Sequence, residues 1–522
     1  MKEKVQKIFK DKYNILILII IVIGIAVRVI NIQNMPNALN TDEASAGYES
    51  YSILNYGIDR NGNFMPAFLV AWGSGQNALL TYLMMPFITL FGLNTLSIRL
   101  PMAILGCISL IIMYALLKKI GNKKVAIIGL VFFAICPWHI MKSRWGLESN
   151  LFPDLVLIFV YLLVKGLMDK NKILYYISFV IAGLTAFSYG TSYFFLPIFL
   201  IPTLIILVKK KEITIKQAII SIFIVGIISL PIIAFVIINT FNLEQINLPF
   251  ITIPKLQVNR YKEITSIFSS KFFEASLSNF LSTISILLWQ KDGLEWNSIE
   301  PFGITYIFSE AFTIIGIIYS FKKNKKVEIE YGYVFNIWFI VSIVLSFICE
   351  PNINRLNIMM IPIVYYTIIG IYIVIDEKKN FTIPIMLIYF VFFGWFIYTY
   401  FQQNFDLYYT FESNLEEPIK YVSEIKDKQV YITNKIREPY IYVLFYEKNN
   451  TYEFVNTVKY IHEHEEFRQV NSFDNYYFSD ISKLEKDKVY VIKRNDLQIY
   501  NINYDDFTIT EFENYLVLEG KI

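Results

Sequence analysis

Apolar runs long enough to cross a bilayer, about 17–25 residues each, recur along the chain from residue 14 to residue 401. They predict eleven spans, at 14–32, 97–117, 124–140, 152–168, 173–190, 192–208, 217–240, 304–321, 332–349, 356–375 and 381–401. From residue 402 the pattern changes to shorter elements. Gln429–Thr433, Val489–Lys493 and Tyr515–Leu518 read as strands, and Glu438–Glu447 reads as a helix. At about 120 residues this stretch has the size of one small domain. The expected fold class is therefore an α-helical polytopic membrane protein of about 11 transmembrane helices (residues 1–401), with a small C-terminal α/β domain (402–522). The first span is not a cleavable signal, because Asn31-Ile-Gln-Asn34 offers no small-residue cleavage site.

Charge gives the spans a direction. Lys2, Lys4, Lys7, Lys10 and Lys12 precede the first span. Further clusters are Lys118, Lys119, Lys123 and Lys124, then Lys165, Lys170 and Lys172, then Lys209, Lys210, Lys211 and Lys216. Lys322, Lys323, Lys325 and Lys326 follow, and Lys378 and Lys379 come last. Every cluster falls on the same side of an eleven-span chain, which the positive-inside rule makes the cytoplasm. The outer side then carries loops 33–96, 141–151 and 241–303 and an extracytoplasmic tail. Residues 77–92 are nearly long enough to span, yet counting them would turn every later lysine cluster outward. They read instead as an interfacial or re-entrant helix in the first outer loop.

Composition excludes other classes. Only 17% of the 522 residues are charged and 55% are hydrophobic, against about 25% charged in a soluble domain. Forty-seven basic residues against 44 acidic ones leave a net charge of +3, which gives nucleic acid no basic surface to bind. Cys107, Cys136 and Cys349 each lie in an apolar run without metal-ligand spacing and read as small apolar fillers.

Ionisable groups are scarce inside the spans. Arg28 lies near the outer end of the first, where snorkelling accounts for it. Glu310 sits six residues into the eighth, roughly 9 Å deep at helical rise, and a helix-packing hydrogen bond explains it as well as a function does. The acids gather instead at outer loops. Asn40-Thr-Asp-Glu-Ala-Ser-Ala-Gly-Tyr48 suits a helix start, with Thr41 as cap and Asp42 and Glu43 in the first turn. In the second loop Arg144 and Glu148 are four apart and share a face on a helix. Arg355, in Glu350-Pro-Asn-Ile-Asn-Arg-Leu-Asn357, lies at a span's outer mouth where its fork suits a phosphate headgroup. Arg99 is a second such candidate, an interfacial anchor being its simpler reading. His139 reads as an interfacial anchor beside Trp138, and His462 and His464 as part of a solvated face.

These residues resemble the GT-C membrane glycosyltransferases. Asp42-Glu43 soon after the first span is similar to their signature, and within the class the chain resembles the protein O-mannosyltransferase and lipid A aminoarabinose transferase group. Phe91-Gly-Leu-Asn94, Ser97-Ile-Arg-Leu-Pro101 and Ser143-Arg-Trp-Gly-Leu-Glu148 fit as well, so the resemblance covers about residues 15–200. It continues weakly through Lys291-Asp-Gly-Leu-Glu-Trp-Asn297 and Asn354-Arg355. It implies an inverting transferase in the cytoplasmic membrane whose donor is a sugar on a polyprenyl phosphate, with a protein, lipid or wall-polymer acceptor. Asp42 would be the general base, and Glu43 and Glu148 would orient the acceptor. Arg144, Arg355 and Arg99 would face the donor phosphate. No cofactor is implied with certainty; a divalent cation, held by Asp42 and Glu148, is left open, because relatives commonly place an aspartate in the second loop where this chain has Glu148. A lipid-linked sugar flippase and a non-catalytic membrane scaffold are the alternatives. The first asks for charged or broken helices through the membrane, and the second gives no reason for acids to gather in two outer loops.

Overall fold

Side chains that a water-soluble protein would bury face outward here. On the helix Ile215–Ile228, Ile215, Ile219, Ile222, Phe223 and Ile227 are exposed while Ser221 is buried. Ile383, Leu387, Phe390 and Val391 are likewise exposed on Thr382–Gln402. Only hydrocarbon makes such a surface favourable, and in hydrocarbon the helix satisfies every backbone group internally. This is a multi-pass membrane protein. The computed structural model describes residues 12–72, 75–258, 265–322, 329–402, 411–461, 469–481, 483–500 and 505–521.

Among the described residues six helices are long and apolar enough to cross a membrane, or up to eight if each of two bent pairs counts as one span. The bends have local causes. Lys123–Ile135 and Pro137–Ser143 meet at 59°, and Ile215–Ile228 and Leu230–Thr240 meet at 63°. Each second helix has a proline, Pro137 or Pro231, in its first turn, where the ring is tolerated, and Cys136 before Pro137 is extended as that ring demands. Expected spans 124–140 and 217–240 are thus broken rather than straight. The stretch 241–303 also differs from a plain loop, because it contains the apolar helix Phe272–Trp289. That helix buries Ser276 and Thr283 and exposes Leu277, Leu281 and Leu288. Two of its polar side chains are thus turned inward with Ile286, while Ser278, Ser282 and Ser285 stay exposed.

The chain forms two compact units. The first comprises Met1–Ile32, Met102–Leu230 and Tyr261–Gln402. Its centre is Asn357–Glu377, buried almost without interruption from Asn357 to Tyr372. Small residues let a neighbour close in. Gly316, on Ser309–Phe321, faces the Tyr366 carbonyl, and Gly370 faces the Phe312 carbonyl, so neither position has room for a Cβ. Thr313 and Thr367 share a hydrogen bond of 2.7 Å across the same contact. Glu310 lies in the first turn of Ser309–Phe321 rather than mid-span, and accepts from Gln290 at 3.1 Å. The three cysteines are unpaired, Cys136 and Cys349 buried and Cys107 partly so.

The second unit comprises Gln33–Pro101, Pro231–Arg260 and Gln403–Ile522. Its sheet has seven strands, ordered Phe507–Glu511, Tyr515–Gly520, Lys488–Lys493, Gln429–Thr433, Tyr476–Ser479, Val470–Phe473 and Lys459–Tyr460. Gln429–Thr433 runs parallel to both its neighbours and the other pairings are antiparallel. The run Val489-Tyr-Val-Ile-Lys493 is buried throughout, as a central strand covered on both faces must be. The interfacial stretch 77–92 forms the helix Leu79–Phe91. At about 1.5 Å per residue it is too short to span, and Tyr82 ties it to the Pro66 carbonyl at 2.9 Å. Lys2, Lys4, Lys7, Lys10, Lys323, Lys325, Lys326, His462 and His464 lie outside the described residues.

The glycine contact yields a test. Gly370→Leu should drive a side chain into backbone and destabilise the protein by roughly 1–3 kcal/mol or more, read as a lower unfolding temperature in detergent. An unchanged midpoint would refute the close approach.

Candidate active site

In the second unit the candidate residues begin at a helix start. Asn40 caps Thr41–Tyr56, accepting from the Asp42 N–H at 2.8 Å. The cap thus lies one residue before the expected Thr41, whose hydroxyl instead pairs with Tyr442 at 3.1 Å. Glu43 completes the capping box by accepting from the Asn40 N–H at 3.3 Å. Its carboxylate is fully buried and meets Arg99 as a fork, Nε to Oε1 and Nη2 to Oε2, both at 2.8 Å. Arg99 also donates to the carbonyls of Pro36 at 2.8 Å and Ala38 at 2.5 Å. With its guanidinium bonded to Glu43 and two carbonyls, Arg99 braces the first loop from within, and Glu43 is its counter-ion. Asp42 is the acid of the pair that remains half-buried, open to one side.

Two turns along the same helix, Glu49 meets Arg60, a pair that patterning along the chain does not reveal. Arg60 Nε lies 3.2 Å from Glu49 Oε1, and the Arg60 N–H donates to Oε2 at 2.9 Å. Trp72 stacks on the guanidinium with its ring centre 4.6 Å away. Burial outweighs the attraction of Arg60 and pushes the Glu49 carboxyl up to about 8.

In the first unit, the second loop is built on buried ions. Arg28 does not snorkel. It is fully buried and donates to the carbonyls of Gly24, Phe133 and Ala134 at 2.7, 2.9 and 3.1 Å. Its Nη2 also lies 2.6 Å from His139 Nδ1. Since arginine can only donate, a neutral His139 carries its proton on Nε2, which points at Asp154 Oδ1, 3.3 Å away. Lys142 Nζ reaches Asp154 Oδ2 at 2.8 Å. His139 is therefore the middle of a buried chain rather than an interfacial anchor. Asp154, at the start of the helix after the loop, was legible only as a lone acid opening an apolar run.

Arg144 is also fully buried. It donates to the carbonyls of Val27 and Ile30 at 2.9 and 2.8 Å, closing the end of helix Lys12–Val29, and lies against Phe401 with the ring centre at 5.0 Å. Arg144 and Glu148 do not share a helical face as expected. Arg144 ends one helix, and Glu148, half-exposed, opens a separate 3-10 turn. Arg355 keeps 14% of its side chain exposed and pairs with Glu350 at 2.7 Å. Three segments meet around it. Asn357 accepts from Trp138 Nε1 at 2.7 Å and donates to the Ser149 carbonyl at 3.1 Å. Asp292, in the Lys291–Asn297 segment, accepts from the Ile353 N–H at 2.8 Å. The structure thus joins the neighbourhoods of Glu148 and Arg355, while Asp42, Glu43 and Arg99 belong to the other unit. Among the described residues no three acidic, histidine or cysteine side chains gather as a metal site.

Residues 78–238 match the family model described as dolichyl-phosphate-mannose-protein mannosyltransferase. In three dimensions the chain is similar to ArnT from Cupriavidus metallidurans, solved bound to undecaprenyl phosphate. The TM-score is 0.57 at 8% identity, over 96% of this chain and 97% of that one. The chain has an ArnT-like fold, the fold that the sequence resemblance implies. A second likeness is to the Archaeoglobus fulgidus oligosaccharyltransferase, solved in complex with Zn and sulfate. There the TM-score is 0.50 at 14% identity, over 83% of this chain and 57% of that one. No curated protein matches the sequence. The family segment takes in Arg99, His139, Arg144, Glu148 and Asp154, whereas Asp42 and Arg355 lie outside it.

These buried ions yield two predictions. Arg99→Ala should cost about 3–5 kcal/mol, because it strands a buried carboxylate, and Glu43→Gln added to it should recover part of the lost unfolding temperature. A wild-type midpoint in Arg99→Ala would return Arg99 to the phosphate. For Glu49, a carboxyl raised from 4.5 to about 8 in the folded state contributes stability that is full below pH 4.5 and is lost as pH rises through 8. Thermal unfolding between those limits should weaken with rising pH in the wild type and flatten in Glu49→Gln. Superimposable profiles would refute the shift.

Proposed function

We propose that this chain is an inverting glycosyltransferase that moves a hexosyl or pentosyl group from a polyprenyl-phosphate donor to a protein, lipid or wall-polymer acceptor. It works at the outer face of a bacterial cytoplasmic membrane, with the N-terminus cytoplasmic, residues 1–401 in and around the bilayer and 402–522 as an extracytoplasmic domain. The observation that carries this reading is the division of labour between neighbours: Glu43 is locked to Arg99 while Asp42 stays half-buried at the helix start. A base must meet both its substrate and a proton, and of the two acids Asp42 alone keeps an open side.

On this reading Asp42 takes the acceptor hydroxyl's proton as its oxygen attacks the anomeric carbon. The bond from that carbon to the phosphate oxygen breaks in the same displacement, which inverts the carbon and leaves a polyprenyl phosphate. Negative charge develops on the departing phosphate and needs a cation nearby. Arg355 suits this, because its partner Glu350 is 64% exposed and loses little by exchanging Arg355 for water. Glu148 orients the acceptor. Arg144, Arg99 and Glu43 hold the backbone that presents these groups. The donor class is supported by the ArnT likeness, that protein having been solved with undecaprenyl phosphate. A macromolecular acceptor is in keeping with the Archaeoglobus fulgidus oligosaccharyltransferase, also solved tethered to an acceptor peptide, at TM-score 0.50. No step is assigned to a metal, since the described acids do not converge on one.

Asp42→Asn should lower transfer by about 10²–10⁴-fold, the usual contribution of a general base, in a reconstituted assay with lipid-linked donor. Its unfolding temperature should stay at the wild-type value. Near-normal turnover would reject Asp42 as the base.

A further inference from the structure

The helix Leu230–Thr240 turns an apolar stripe outward, and the stripe does not stop where the helix does. Ile233 and Ile237 are exposed, and at the next helical spacing Phe241 is 70% exposed. Beyond it Ile246–Leu248 and Ile251–Ile253 form an antiparallel hairpin, with Ile246 opposite Ile253 and Leu248 opposite Ile251. The return strand is anchored. Thr252 donates to the Phe64 carbonyl at 3.0 Å and accepts from the Ala67 N–H at 2.9 Å. Ile253 joins a core with Phe68, Phe235, Ile238 and Leu256, in which the Phe68 and Phe235 rings stack with centres 4.0 Å apart.

The leading strand and the loops around it are bare. Leu243, Ile246, Leu248 and Phe250 are exposed, Phe250 at 70%. Hairpin flexibility does not explain this, because the anchored strand fixes the register. These four side chains and Phe241, held rigidly in water, would each forgo part of the about 1.5–3 kcal/mol that full burial contributes. The polar residues between them are amides, Asn242, Gln245 and Asn247, with Glu244 the one charged side chain from 241 to 250. Amides can bond to headgroups and glycerol carbonyls without the desolvation cost of an ion. Pro249 closes the end of the leading strand against further pairing.

We propose that residues 241–250 seat in the interfacial layer of the bilayer, with Phe241, Ile246, Leu248 and Phe250 dipping below the headgroups as an anchor for the unit that carries Asp42. A lipid surface is favoured over a protein partner because the apolar stripe is continuous with that of a bilayer-facing helix. The inference is independent of the glycosyltransferase reading.

The test uses the full chain with its three cysteines changed to alanine, reconstituted in phosphatidylethanolamine and phosphatidylglycerol liposomes. Spin labels are placed singly through Phe250→Cys, Leu248→Cys and Glu244→Cys, and collisions with oxygen and with a water-soluble nickel chelate are measured. The oxygen-to-nickel ratio should be several-fold higher at 248 and 250 than at 244. Free nickel access at 248 and 250 would overturn the anchor. Protection from both reagents, with label–label broadening, would also overturn it, in favour of contact with a second copy. Agreement of the 248 and 250 labels guards against one substitution disturbing the hairpin, and circular dichroism checks that each variant is folded.

Discussion

A charge taken out of water must find its compensation inside the protein, and each of the two units is arranged around that requirement. Leaving one partner of a buried pair alone costs several kcal/mol. Arg99 and Glu43 answer it as a closed fork with two carbonyls filling the rest of the guanidinium. Arg28, His139, Asp154 and Lys142 answer it as a chain, in which a neutral ring passes the influence of one cation to a carboxylate held by another. Each arrangement fixes backbone: the first pins the loop that leads into Asp42, the second pins the loop that leads into Glu148.

The bilayer imposes a second constraint. Helices there gain nothing by hiding leucine, so close approach is decided by small residues and hydroxyls. Gly316, Gly370, Thr313 and Thr367 draw Ser309–Phe321 onto the central helix. At the end of that central helix Asn357 receives the Trp138 indole and reaches the Ser149 carbonyl. Packing in the apolar region and the geometry around Arg355 are therefore parts of one scaffold. A change at the glycine contact would be felt at the loop around Arg355 through a single helix.

Patterning along the chain reveals what depends on local spacing. The presence of long apolar helices, the short helix Leu79–Phe91 and the strands Gln429–Thr433, Val489–Lys493 and Tyr515–Leu518 follow from periodicity, whereas the eleven spans expected compare with six to eight among the described residues. Asp42 and Glu43 at a helix start follow from capping preferences, with the cap displaced by one residue because Asn40 outcompetes Thr41 for the same N–H groups. What stays hidden depends on partners distant in sequence. Arg28 meets His139 across 111 positions, and nothing near Arg28 distinguishes a networked guanidinium from a snorkelling one. Glu49 and Arg60 are concealed in the same way. The helix Phe272–Trp289 is missed for another reason: its interspersed serines and threonine read as loop chemistry, although Ser276 and Thr283 are buried by the helix.

The same logic sorts the two acids that the sequence places side by side. Consecutive residues on a helix point about 100° apart, so a carboxylate aimed at a buried arginine leaves its neighbour aimed elsewhere. Glu43 takes the buried direction and is held there by three hydrogen bonds, two from Arg99 and one from the Asn40 N–H, and by packing that excludes water. That rigidity is transmitted to Asp42 through the shared helical turn, so Asp42 gains a fixed position without being enclosed. An acid free to move would lose time away from its substrate, and an acid fully enclosed could not meet one. Placing the brace on the adjacent residue satisfies both requirements, and on the proposed reading it is why a pair of acids serves better here than one.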